Sequence, residues 1–74
     1  MKWPKLSETQ SRILEAIIFG AEIQVTLFDE KYTYDLCYEN GDDETINVRT
    51  FEKLRDLGLV KLKWRPAENV ERWA

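Results

Sequence analysis

A chain of 74 residues with 43% hydrophobic content, including three Trp, three Tyr and three Phe, has material for one small core and no more. Eleven basic against fourteen acidic residues give a formal charge of −3, and zero histidine with a single cysteine, Cys37, removes an internal disulfide, the commonest metal ligand and the commonest general base. No apolar run approaches the roughly 20 residues that span a bilayer, and Met1-Lys2-Trp3-Pro4 lacks the apolar segment of a signal peptide, so a cytoplasmic protein without a membrane partner is expected.

Residues 6–20 read as a first helix. Ser7 and Gln10 stand three apart in the form of a capping box, Ile13, Leu14, Ile17 and Ile18 recur on one stripe, and Gly20 closes the segment. From Glu22 the period changes to two: Ile23, Val25 and Leu27 alternate with Gln24 and Thr26, which predicts a strand. A polar turn at Asp29-Glu30-Lys31 leads into a second alternating run. There Tyr32, Tyr34, Leu36 and Tyr38 share one face and Thr33, Asp35, Cys37 and Glu39 the other, so the two runs form an antiparallel hairpin. Asn40-Gly41 and the acidic Asp42-Asp43-Glu44 end the second strand.

Asn47 is placed to cap a second helix that carries Val48, Phe51, Leu54 and Leu57 inward, and Gly58 stops it in the left-handed conformation. Beyond it Val60, Leu62 and Trp64 alternate with Lys61, Lys63 and Arg65, the pattern of a half-buried strand with a cationic outer face, which Pro66 ends. Residues 67–74 are too few to assign, although Val70 and Trp73 can fold back onto the core. Trp3 and Trp73 either clamp the chain ends or form an apolar patch suited to a homo-oligomer. The order helix, hairpin, helix, strand defines a single α+β domain over residues 1–74, with its core in about 6–65. An antiparallel sheet of about three strands is covered on its apolar face by both helices.

Leu6-Ser7 before a helix containing Gln10 and Arg12, Gly20 just after it, Cys37-Tyr38, Asn40-Gly41, Phe51 with Leu54, and Leu59-Val60 together resemble the small bacterial YjhX-type toxin family. The resemblance covers about 55 of the 74 residues and also extends to small phage and plasmid proteins of winged-helix type. It implies a winged-helix-like fold and a place in a toxin-antitoxin or mobile-element system, where inhibition of a topoisomerase has been proposed. The matched residues are core, cap and turn positions, so no functional residue is carried over.

Charge is segregated along the chain: residues 1–5 carry +2, 6–48 carry −8 and 49–74 carry +3. Arg49 and Lys53 lie four apart on the exposed side of the second helix, and Lys61, Lys63 and Arg65 lie at strand spacing. If these adjoin, five cations face a phosphate backbone, and double-stranded DNA is the partner expected of a non-enzymatic regulatory binding protein. The ordinary alternative is a solvated charged face, and a pI near 4.9 is low for a nucleic-acid binder. A second functional reading is a protein-directed inhibitor or toxin-like component that uses Asp35, Glu39, Asp42, Asp43 and Glu44 against a basic protein partner.

The acidic run lacks the spacing of a calcium loop and reads as a solvated turn. Cys37 has neither a histidine nor a CxxC partner and reads as structural. Tyr32, Tyr34 and Tyr38 are assigned to packing rather than to base stacking, since a sheet this small has one apolar face to bury. No nucleophile, base and orienting group can be assembled, so neither an enzyme nor a cofactor is expected.

Overall fold

A computed structural model describes residues 5–74, so the expectation for Trp3 lies outside the described residues. Its elements run α1 (Glu8–Ile18), β1 (Glu22–Phe28), β2 (Lys31–Cys37), β3 (Asp43–Thr45), α2 (Val48–Asp56), β4 (Leu62–Ala67) and β5 (Val70–Trp73). All neighbours in the sheet are antiparallel, in the order β3-β2-β1-β5-β4. The domain is α+β, but it has five strands rather than about three. The expected helix-hairpin-helix-strand order is replaced by helix, three strands, helix, two strands, which does not reproduce the winged-helix arrangement.

Both helices begin and end on local chemistry that is visible in the sequence. Ser7 and Gln10 form the reciprocal capping box, and the Asn47 side chain accepts a hydrogen bond from the Arg49 amide at 2.8 Å. At their other ends the same motif appears twice. Gly20 N–H donates to Ile17 and Ala21 N–H to Ala16, while Gly58 N–H donates to Arg55 and Leu59 N–H to Leu54. This double bond pattern needs a left-handed residue after the cap, and φ is +108° at Gly20 and +74° at Gly58.

The core lies between the helices and one face of the sheet. Ile13 of α1, Phe51 and Leu54 of α2, and Ile23, Val25 and Leu36 of the central strands are buried, with Ala21, Ile46 and Val60 beside them. The β1 register opposes Ile23 to Leu36 on one side and to Trp73 on the other. Alternation therefore sends Glu22, Gln24, Thr26, Thr33, Asp35 and Cys37 to a sheet face that carries no helix. Burial pushes the Cys37 thiol up from its ordinary value.

Several packing expectations change. Ile18 is 65% exposed, because Ile17, Ile18 and Phe19 are consecutive and a helix face cannot take all three. Val48 is also exposed at the first position of α2, and Leu57 is half-buried where that helix ends. Tyr34 packs against Phe51 in a tilted contact, with 5.1 Å between ring centroids, whereas Tyr32, nearer the hairpin tip, is 61% exposed. The hairpin turn is tighter than expected: Phe28 pairs with Lys31, leaving only Asp29 and Glu30, both with positive φ. Asn40-Gly41 does end β2, but as the turn of a second hairpin in which Tyr38 N–H donates to Asp42 O at 2.8 Å and the chain returns as β3.

The largest revision concerns the C-terminal third. Pro66 does not stop β4, which runs on to Ala67 and turns back into β5. Proline is tolerated there because β4 is an edge strand whose outer N–H groups have no ladder to serve. Every β4 residue is exposed, and the pairing with β5 shifts register twice, between Leu62 and Trp64 and between Trp64 and Ala67. Such irregularities, with Lys63, Arg65 and Pro66, blunt an edge against further pairing.

Candidate functional site

The register shifts in β4 decide where the expected cations go. Leu62 pairs with Trp73 on the helix side of the sheet, but Trp64 pairs with Arg72, which lies on the opposite face. An uninterrupted strand would have kept Leu62 and Trp64 together; the bulge separates them. Lys63 extends to Glu22 on the helix-free face, Nζ to Oε2 2.7 Å, while Arg65 extends to Glu71, Nη2 to Oε2 2.9 Å. Glu71 is the cross-strand neighbour of buried Val25, which puts Arg65 on the helix side. Lys63 and Arg65 thus serve opposite faces, and both are committed to carboxylates. The single cationic face expected over Lys61, Lys63 and Arg65 is not formed.

Glu22 is the centre of a small ion cluster. Besides Lys63 it holds Arg72, Nη1 to Oε1 3.6 Å, and its side chain is only 20% exposed. The Lys63 hydrogen bond holds the Glu22 carboxyl below the usual carboxylate range, against the opposing effect of desolvation. Arg72 Nε is buried in this cluster without a hydrogen-bond partner among the described residues, so the guanidinium depends on Glu22 for compensation. Of the remaining candidates, Arg49 and Lys53 are exposed on α2 and Lys61 is exposed beside the chain end, where its backbone pairs with Ala74. None of these three has an ion-pair partner among the described residues. Arg55, also on α2, is held by Glu52 and Asp56.

The acidic candidates are distributed differently. Glu44 pairs with Leu36 on the helix side and receives Arg12 of α1, Nη2 to Oε1 2.6 Å, a bond that raises the guanidinium further above its ordinary value. Asp35 and Asp43 lie on the helix-free face, opposite Thr45 and Cys37, and Asp35 accepts a hydrogen bond from the Thr45 hydroxyl at 3.2 Å. Asp42 accepts from the Asn40 amide at 3.1 Å, and the Glu39 carboxylate lies over the backbone of Gly20, where an added Cβ would collide with it. Asp35, Glu39, Asp42 and Asp43 have no cation partner among the described residues. This end of the sheet therefore keeps its negative charge, whereas the β4–β5 end has spent most of its positive charge internally. No group of three His, Cys, Asp or Glu side chains is placed to hold a metal ion among the described residues. No helix of the described residues is long and apolar enough to cross a membrane.

No family model, curated protein or solved structure matches this chain. Function must accordingly be argued from the surface itself. Sequence patterning missed Glu22, Glu71 and Arg72 because each acquires its role from a strand partner far away in the chain. The run Ile17-Ile18-Phe19 was the one available signal of an exposed apolar surface, since three consecutive apolar residues overfill a helical stripe.

Proposed function

We propose that this chain is a non-enzymatic binding protein that recognises a basic protein surface through the acidic end of its sheet, around β2, β3 and the turn between them. One observation carries this choice over phosphate recognition: Lys63 and Arg65 are each paired with a carboxylate on opposite faces of the sheet, while Asp35, Glu39, Asp42 and Asp43 retain uncompensated charge. Complementary fields steer encounter and fix orientation, and like charge disfavours nucleic acid. Phe19, 75% exposed at the end of α1 and beside Tyr38 at the end of β2, supplies the apolar contact that protein recognition uses.

A winged-helix-like protein that contacts duplex DNA through α2 is the competing proposal. It is favoured by Arg49 and Lys53, which stand one turn apart on the exposed side of that helix. Titration of the isotope-labelled protein with a lysine-rich peptide and, separately, with duplex DNA at two salt concentrations separates the two. Saturable shifts at Asp35, Asp42 and Asp43 with the peptide support protein recognition. Saturable, salt-sensitive binding of duplex with shifts at Arg49, Lys53 and Lys61 assigns the chain to DNA instead.

A further inference from the structure

Between α1 and the end of β2 lies an open groove of about 730 Å³. Ala16, Phe19 and Tyr38 form its apolar floor, and Glu8 and Glu15 stand along it on one helical face, about two turns apart. Arg12 also borders the groove, but its guanidinium is turned to Glu44 at 2.6 Å and does not neutralise Glu8 or Glu15, which have no ion-pair partner among the described residues. Phe19, the last residue of the capped turn, leaves most of its ring in water. The Glu39 carboxylate lies over Gly20, the residue that follows Phe19.

Building on recognition of a basic protein, we propose that this groove seats an amphipathic, lysine- or arginine-rich segment of the partner, with apolar side chains over Ala16, Phe19 and Tyr38 and cations against Glu8, Glu15 and Glu39. The apolar floor calls for a residue such as leucine, and the acidic rim selects a basic segment over a neutral or acidic one. Phe19 is the anchor, because aromatic contacts desolvated at the centre of an interface carry a disproportionate share of affinity.

The test uses the full chain and three synthetic peptides of equal length: one with leucines on one helical face and lysines elsewhere, one with the lysines replaced by glutamates, and one with the lysines kept and the leucines replaced by serines. Affinity is read by fluorescence anisotropy and location by amide chemical shifts. The leucine-lysine peptide is expected to bind most tightly and to shift Ala16, Phe19 and Tyr38. Phe19→Ser should weaken it roughly tenfold or more, whereas Phe28→Ser, an equally exposed ring at the hairpin tip, should leave it unchanged. Glu8→Gln with Glu15→Gln should weaken it and flatten its salt dependence. If both lysine peptides shift Asp35, Asp42 and Asp43 alone and Phe19→Ser has no effect, the groove assignment is wrong and acidic-end recognition stands. If neither lysine peptide binds, both fail. Equal binding of the glutamate peptide overturns the charge argument, and self-association abolished by Phe19→Ser makes a second copy the occupant instead.

Discussion

The Phe51 ring meets the Trp73 indole edge-on, with 5.2 Å between centroids and an interplanar angle of 87°. This contact ties α2 to β5, and Arg55 lies over the same Phe51 ring, 5.7 Å from its centroid. Trp73 also pairs with Ile23 of the central strand and with Leu62 of the edge strand, and its indole N–H donates to Glu71 at 3.2 Å. The last strand is therefore a structural wedge: it converts a three-stranded meander into a five-stranded sheet and closes the core beneath α2.

Trp73→Ala is expected to destabilise the fold by about 2–3 kcal/mol, below the range for fully buried aromatics because this side chain keeps some exposure. Trp64→Ala, at 53% exposure on the edge strand, should change stability by no more than about 0.5 kcal/mol. Urea denaturation with unchanged m-values checks both. Equal losses from the two would mean that the Phe51 contact does not hold β5.

Glu22→Gln removes the carboxylate shared by Lys63 and Arg72 and leaves the half-buried guanidinium uncompensated, at a cost of about 1–2 kcal/mol. Because the folded carboxyl is held below its ordinary value, Glu22 contributes stability that is fully present above the unfolded carboxylate value of about 4.3 and is lost as pH falls through the lower folded value. Denaturation of the wild type between pH 6 and pH 3, set beside Glu22→Gln, should show a shallower acid dependence in the variant. Parallel curves would remove Glu22 from the acid response.

Lys63→Glu places two carboxylates where an ion pair now stands at 2.7 Å, so it should destabilise the protein by about 1 kcal/mol, whereas Lys61→Glu should cost no more than about 0.5 kcal/mol. A thermal melt of each variant distinguishes them. Equal melting temperatures would show that the Lys63 pair is fully screened.

Asp29 and Glu30 both occupy positive φ, 51° and 62°, in the two-residue turn between β1 and β2. Asparagine and glycine adopt that conformation with less strain, and replacing the pair by Asn-Gly is expected to stabilise the fold by about 1 kcal/mol. A higher denaturation midpoint at constant m is the expected readout, and an unchanged midpoint would mean that the turn carries no such strain.

At Gly58 an added Cβ meets nothing within 4 Å, so Gly58→Ala reports the backbone conformation alone and should cost about 1 kcal/mol, with Gly58→Asn milder. Gly20→Ala adds a collision with the Glu39 carboxylate and should cost more. Pairing Gly20→Ala with Glu39→Ala should recover the excess and bring the two sites level, as a chemical denaturation series will show.

Helix caps, helix stops, the first hairpin and the α+β class were legible in the residues themselves, because a capping box, a left-handed glycine and an apolar period act within a few positions of one another. Ser7 with Gln10, Asn47, Gly58, and the alternation of Ile23, Val25 and Leu27 all behave as their local chemistry dictates. What tertiary structure alone decided was the recruitment of β3 and β5, the passage of β4 through Pro66 and the face on which each cation falls. A one-residue register shift between Leu62 and Trp64 turns the indole away from the core, and Lys63 finds Glu22 across 41 positions of sequence. Neither the shift nor the pairing leaves a periodic trace in the chain, since both depend on which strand becomes the neighbour and in what register.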